Sequence, residues 1–332
     1  MTLADVARLA GVSKGTASKA LNEKHHVHPQ TRGRVLAAAE QLAFRPNVLA
    51  RELTSGRSRT VGVLTNDLEG RFVLPVLAGA EDALGAGELS VLLCDARGDS
   101  IRERHHLQTL LDRRIEGLIV VGGARTEPRP SLGLDLPVPI VYVYAPSASP
   151  EDLSLTADDP MGGRLAAEHL WELGRRKVAY LPGDSTYLAT GEREEGARAA
   201  LRERGAELVV LHSVNADWTE RWGRAATARL LQEHPEVDAL IAASDGLGRA
   251  ALDVLRDLGR RVPDEIAVMS FDNWSAVVTH TRPELTSIDL GLEDLGRTAA
   301  RRLFAAISGG ELGAGHQRLP VRLVVRGSTS VH

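Results

Sequence analysis

Lys14 and Gly15 open a short polar-faced segment, and Lys19 follows a turn later. Lysine ammonium groups in that arrangement can donate to guanine O6 and N7 in the major groove of DNA. Around them Ser13, Thr16, Ser18 and Asn22 carry short hydroxyl and amide groups suited to phosphate oxygens. Such contacts position a protein on a duplex without reading its sequence. Further along, Asn47 can cap a short helix in which Ala50 and Leu53 share one stripe. A leucine presented at the end of such a helix can wedge between base pairs from the minor groove and kink the duplex. Packing on the body or on a partner helix is the other use of Leu53, and a dimer permits both.

A helix, a glycine turn and a second helix must hold those groups. Thr2 and Asp5 resemble a capping box, so a first helix is expected from Leu3, with Val6, Leu9 and Ala10 inward. Gly11 suits the left-handed helix exit. Ser13 is placed to cap a second helix from Lys14 to about Asn22, with Ala17, Ala20 and Leu21 inward. A third follows Pro29, with Val35, Leu36, Ala39 and Leu42 inward. This is the order of a helix-turn-helix with a basic second helix, although a solvated helical domain with a charged face would share it. Charge separates the two. Residues 1–59 hold ten Lys/Arg against four Asp/Glu, so the net charge of −4 divides into +6 for the head and −10 for the rest. A basic head on an acidic body fits a polyanion for the head alone, most simply double-stranded DNA.

From Thr60 the pattern changes to apolar strands alternating with longer amphipathic helices. The strand candidates are Val61–Thr65, Ser90–Cys94, Gly117–Val121, Ile140–Tyr144, Lys177–Leu181, Leu208–Leu211, Ala239–Ala243 and Ile266–Phe271. Such alternation means parallel sheets covered by helices, and about eight strands are more than one compact sheet usually carries, so two doubly wound lobes are expected. Ligands of these sheets lie outside the carboxyl ends of the strands. The domains are therefore an all-α helix-turn-helix head (1–45), a hinge helix and linker (46–59) and an α/β body (60–332).

Composition narrows the class. Hydrophobic residues at 43% and charged residues at 25% exclude a disordered or collagenous chain. The single Cys94 excludes an intrachain disulfide, fits a reducing cytoplasm and reads as core. The N-terminus is too polar for a signal peptide, and no apolar run approaches the roughly 18–20 residues of a membrane span. A cytoplasmic protein without a membrane partner is expected.

The chain resembles the lactose-repressor (LacI/GalR) family of bacterial transcription regulators. The likeness rests on Thr2-Leu-Ala-Asp-Val-Ala, Ala10-Gly-Val-Ser, Thr16, Ser18, Ala20-Leu-Asn22, Thr31-Arg32, and Pro46-Asn47 with Ala50 and Leu53. It continues through Val61-Gly-Val, Gly79-Ala-Glu, Glu116-Gly-Leu-Ile-Val, Gly162-Gly163, Ser244-Asp245, Ser270-Phe-Asp272 and Leu285-Thr-Ser-Ile288. The resemblance implies a repressor whose hinge helices fold on operator DNA, with Thr31 and Asn47 among the DNA-binding residues. It also implies sensor lobes of the periplasmic-binding-protein type with three crossings, an N-lobe of about 60–160 and 290–318 and a C-lobe of about 161–289 and 319–329. The last residues show no leucine heptads, so a homodimer is expected, with a tetramer left open. Ala17, Lys19 and Gly15 depart from the family's usual residues, so an operator preference does not carry over from relatives.

The same resemblance places an effector in the cleft. Arg193 matches the arginine that clamps it, Asp272 the acid that accepts its hydrogen bonds, and Trp218 the aromatic that stacks on a sugar face. Asn66, Asp67 and Phe72 would form the other wall, and Asp158 and Ser244 lie at similar strand exits. Asp245 serves equally well as a helix cap. The expected effector is a sugar or sugar derivative, while Phe72 keeps a nucleobase open. A plain solute-binding protein would lack the basic head. An enzyme would need a paired acid and base or a phosphate loop, and neither a Walker loop, a nucleophile elbow nor a dinucleotide fingerprint is found. No cofactor or metal is expected; His25, His26 and His28 are crowded but read as solvated.

Overall fold

The computed structural model describes residues 1–21, 27–44, 58–66, 68, 72–85, 89–122, 125–133, 136–211, 213 and 215–330. Asn22, Asn47, Ala50, Leu53 and Asp67 lie outside that set, as do His25 and His26. The chain separates into two units, Met1–Arg59 and Thr60–His332.

The head contains α1 (Leu3–Leu9), α2 (Lys14–Leu21) and α3 (Pro29–Gln41). Thr2 and Asp5 form the capping box: the Asp5 amide donates to Thr2 Oγ1 at 3.4 Å, and the Thr2 amide donates to Asp5 Oδ2 at 2.9 Å. Gly11 has φ +64°, and the Thr16 amide donates to Ser13 Oγ at 3.1 Å, capping α2. The core is Val6, Ala7, Ala10, Ala17, Ala20, Val35, Ala38 and Ala39. Two inward assignments are corrected. Leu9 is 48% exposed and Leu36 47% exposed, while Ala7 and Ala38 are buried instead. With 100° per residue, the face centred on Val6, Ala7 and Ala10 leaves Leu9 at its edge, and that of Val35, Ala38 and Ala39 leaves Leu36 outside.

The body holds two six-stranded sheets. In the first the order is β11-β5-β4-β3-β1-β2, built from β1 (Thr60–Thr65), β2 (Ser90–Asp95), β3 (Gly117–Val121), β4 (Ile140–Val143), β5 (Leu153–Ala157) and β11 (Gly315–Leu319). In the second it is β12-β10-β9-β8-β6-β7, from β6 (Val178–Leu181), β7 (Val209–Val210), β8 (Ala239–Ala242), β9 (Ala267–Phe271), β10 (Thr286–Asp289) and β12 (Arg322–Val324). Every pairing is parallel except β10 with β12. The chain crosses between lobes three times, after β5, β10 and β11.

The described strands number twelve against the eight expected. The four unforeseen ones are β5, β10, β11 and β12, and each is short or carries polar residues. In β11, Gly-His-Gln-Arg-Leu alternates half-buried with exposed positions at a sheet edge, so it has no apolar run to notice. Leu208–Leu211 shortens to Val209–Val210.

Each lobe is locked by one close helix pair. In the N-lobe α4 (Val73–Gly85) crosses α11 (Leu292–Ile307) where a Cβ on Gly79 would lie 1.9 Å from the Glu293 carbonyl oxygen. A Cβ on Gly296 would meet the Val76 oxygen at 1.9 Å. In the C-lobe α6 (Asp159–Glu172) crosses α7 (Leu188–Arg202), where Gly163 faces the Arg193 oxygen and Gly196 the Pro160 oxygen, each 2.0 Å from such a Cβ. Only glycine permits either approach.

Candidate functional site

In the head, Ala17 and Ala20 turn the buried face of α2 inward and leave Ser13, Lys14, Gly15 and Lys19 exposed together. Thr16 and Ser18 are half-buried beside them, as is Thr31 at the start of α3. Ser13 and Thr16 share a hydroxyl hydrogen bond of 2.8 Å, so part of their polarity serves the cap. A flat cationic helix face with small polar neighbours is shaped for a groove lined by phosphates.

In the body the candidate residues sit at carboxyl ends of parallel strands. Arg193, in the second turn of α7, is 1% exposed. The Gly163 contact holds its backbone against α6, which aims the side chain at the ends of β8 and β9. Its Nε donates to Asp159 Oδ1 at 2.6 Å, its Nη1 to the Ala243 carbonyl at 2.6 Å and its Nη2 to the Tyr144 hydroxyl at 3.3 Å. Asp272 Oδ1 lies 3.9 Å from Nη1, and the guanidinium lies over the Phe271 ring at 4.5 Å. Burial works against the charge, but the Asp159 and Asp272 carboxylates, with the electron-rich Tyr144 oxygen beside them, outweigh it and hold the Arg193 pKa above its usual value. Arg193 thus makes no surface pair with its neighbour Glu194, which binds Arg198 at 2.6 Å.

Backbone strain collects here. Tyr144, Asp272 and Asn273 have φ of +62°, +106° and +51°. Non-glycine residues seldom hold such angles, and they do so at sites where geometry is imposed by the surroundings.

The remaining expected residues divide. Phe72 joins the cluster through Tyr144, with ring centroids 4.8 Å apart and planes 22° from parallel. Trp218 belongs to a second group: it packs edge-on against Tyr187 at 5.6 Å and covers Gly183. Arg125 of the N-lobe lies over Tyr187 at 3.9 Å and donates to Thr186 Oγ1 at 2.7 Å, closing this edge of the cleft. Asn66 is exposed and sits beside Gly122. Asp158 and Ser244 are helix caps: Asp158 accepts from the Met161 amide at 3.1 Å, and Ser244, fully buried, accepts from the Leu247 amide at 3.4 Å.

Asp245 corrects the reading of it as a cap. It is fully buried in the first turn of α9 (Asp245–Asp257) and accepts from Ser270 Oγ at 2.6 Å, Ser287 Oγ at 2.7 Å and the Trp274 amide at 2.6 Å. Burial first, then the nearby Asp272 carboxylate, pushes its pKa up to about 7. Sequence reasoning also missed Asp159, Tyr144, Arg125 and Tyr187. Tyr144 closed the strand candidate Ile140–Tyr144 and carried no signal of its own. Asp159 stands between Asp158 and Pro160, and only helix packing shows which of the two acids turns inward.

A cavity of about 520 Å³ opens between the lobes, lined by Pro75, Gly291, Leu292, Glu293 and Asp294 on one side and Asp272, Asn273, Trp274 and Ser275 on the other, with Asp289 and Arg322 at the crossings. It shares Asp272 with the Arg193 cluster. Trp274, which lines the cavity, is 45% exposed. Arg322 pairs with Asp289 at 2.7 Å, Asp294 pairs with Arg297, and Asp272 faces Arg193, so most of the lining acids are matched by an arginine. Among the described residues no helix is long and apolar enough to cross a membrane.

Comparison with known proteins places this architecture. Residues 2–47 match the family described as bacterial regulatory proteins, lacI family, and residues 167–329 match the periplasmic binding protein-like domain. The HTH-type transcriptional regulator CelR of Thermobifida fusca is 36% identical over 330 residues, covering 98% of this chain and 95% of the relative. A lac repressor dimer bound to operator and the anti-inducer ONPF superposes with a TM-score of 0.81 at 27% identity, covering 100% of this chain and 99% of that one. A CelR–cellobiose complex superposes with a TM-score of 0.70 at 32% identity, covering 99% of both chains. With a helix-turn-helix head, two doubly wound lobes and this extent of likeness, the chain belongs to the lacI family of bacterial transcription regulators.

Proposed function

We propose that the protein is a homodimeric, sugar-responsive repressor of operator DNA. The head reads DNA through Ser13, Lys14, Gly15, Thr16, Ser18, Lys19, Asn22 and Thr31, and the hinge residues Asn47, Ala50 and Leu53 order against the minor groove. Folding that hinge costs conformational entropy, which the DNA contacts offset. The effector occupies the cavity between the lobes, held by Asp272 and stacked by Trp274, with Arg193 behind. Asn66, Phe72, Asp158, Trp218 and Ser244 are further candidate contacts, as is Asp67, which lies outside the described residues.

The observation that carries this reading is the buried Arg193–Asp159–Asp272 cluster beside a cavity lined from both lobes. A ligand there contacts both halves and favours one lobe arrangement by its differential affinity, which is the only way it can shift operator binding. The ligand class follows from charge. Asp289 is paired with Arg322, Asp294 with Arg297, and Asp272 faces Arg193, so among the described lining residues no cation is left over for a phosphate while carboxylate oxygens suit the hydroxyls of a neutral sugar, and cellobiose on the related CelR fits that expectation.

The test is an operator titration with fragments of the protein's own promoter region, across salt concentrations, with and without cellobiose and other neutral sugars. The expected result is binding that weakens steeply with salt and changes with one neutral sugar. Lys14→Ala should weaken operator binding while sugar affinity stays intact, and Leu53→Ala should do the same through the hinge. A protein that ignores every fragment at low salt under every sugar overturns the reading.

A further inference from the structure

Tyr144 follows β4 with its backbone in the left-handed region, φ +62°, which an aromatic residue rarely adopts. That turn stacks its ring on Phe72 and carries its hydroxyl across the lobe boundary to Arg193. Two of the guanidinium's three bonds, to Asp159 and to the Ala243 carbonyl, stay within the C-lobe and are short at 2.6 Å. The third, to Tyr144, comes from the N-lobe and is long at 3.3 Å. A hydrogen bond of that length is the weakest of the three and the first to yield to a competing hydroxyl.

We propose that Tyr144 is a built-in stand-in for the effector: its phenol oxygen caps Arg193 from across the lobe boundary, and an effector hydroxyl takes that place on binding. The inference rests on the reading that the effector meets Arg193. A phenol suits the task because it is neutral and offers one donor and acceptor oxygen, as a sugar hydroxyl does. Without that cap the buried Arg193 would keep its charge but leave Nη2 short of an acceptor. Tyr144 thereby ties occupancy of the cleft to the joining of the lobes, and the effector's apparent affinity is lowered by the work of displacing it.

The test uses the full-length protein and Tyr144→Phe, which keeps the stacked ring and deletes the oxygen. Cellobiose binding is measured by calorimetry, and amide hydrogen exchange over residues 188–196 is measured without sugar. Loss of one long, weak hydrogen bond should tighten cellobiose binding about 3–10-fold in Tyr144→Phe. A general packing defect would not tighten it. Unchanged or weaker binding overturns the proposal, because the hydroxyl would then be idle or would itself hold the sugar. If cellobiose binds neither protein, the sugar assignment fails for that ligand and exchange alone decides. Faster exchange in sugar-free Tyr144→Phe supports the cap, and identical exchange overturns it.

Discussion

The two lobes are locked by the same device and use it for opposite ends. In each, two helices cross on a reciprocal pair of glycines, Gly79 with Gly296 and Gly163 with Gly196. Across the N-lobe crossing, Arg297 of α11 meets Asp82 of α4 at 3.3 Å on the surface, with Asp82 69% exposed. Across the C-lobe crossing, Arg193 of α7 meets Asp159 of α6 at 2.6 Å in the interior, with Arg193 1% exposed. A surface pair trades water for a partner with little net gain. A buried pair must overcome the desolvation of two ions and is weak evidence of stabilisation. The N-lobe pair is therefore structural decoration on a packed crossing, while the C-lobe pair preserves charge beside the cleft at a cost the rest of the lobe has to offset.

The largest expected effect comes from breaking the buried pair. Arg193→Ala should destabilise the body by about 3–5 kcal/mol, because Asp159 is left buried and unpaired. Denaturant unfolding checks the stability, and an operator titration with sugar should show that the effector response is gone. A variant as stable as the wild type and still responsive would erase the distinction between the lobes. Next come the glycines. Gly163→Ala and Gly79→Ala should each cost about 1–3 kcal/mol by overpacking. Only Gly163→Ala, which pushes on the Arg193 backbone, should also weaken sugar binding; equal sugar affinity in the two variants would count against the role of the C-lobe crossing.

Asp245 extends the contrast to pH. In the unfolded chain its pKa is near 3.9. In the folded C-lobe burial and Asp272 push it up to about 7. The folded state therefore keeps a proton that the unfolded state gives up, so this group's stabilisation is complete below about pH 4 and is lost as pH rises to about 7. The slope is at most about 1.4 kcal/mol per pH unit. The difference in stability between wild type and Asp245→Asn across that range isolates the effect from His169 and His316, whose pKa values burial lowers. A flat difference would place the charge of Asp245 among the ordinary ones. The smallest effect is expected at the surface pair: Arg297→Ala should change stability by less than about 1 kcal/mol and leave sugar affinity unchanged.

Much of this organisation was legible in the residues. The capping box of Thr2 and Asp5, the left-handed Gly11, the Ser13 cap and the charge surplus of the first 59 residues are local facts, set by neighbours in the chain or by counting. They determined the head and its exposed Lys14 and Lys19, while the alternation of apolar strands and amphipathic helices after Thr60 determined two doubly wound lobes. The edge strand β11 escaped because its polar residues at a sheet margin carry no apolar run, and β12 because three residues are too few to mark a strand. Leu9 and Leu36 were misplaced because which edge of an amphipathic stripe is covered depends on the neighbouring helix.

Arg193 and Asp272 could be named from the chain alone, through its likeness to a family, but their state could not. That Asp159 turns inward while Asp158 caps, that Asp245 hides beneath two serines, and that Tyr144 reaches Arg193 from the other lobe were decided by tertiary structure. The physical reason is range: hydrogen bonding of a turn or cap is settled within a few residues, whereas burial, and the pairing and pKa values that follow from it, depends on segments far apart in sequence coming together.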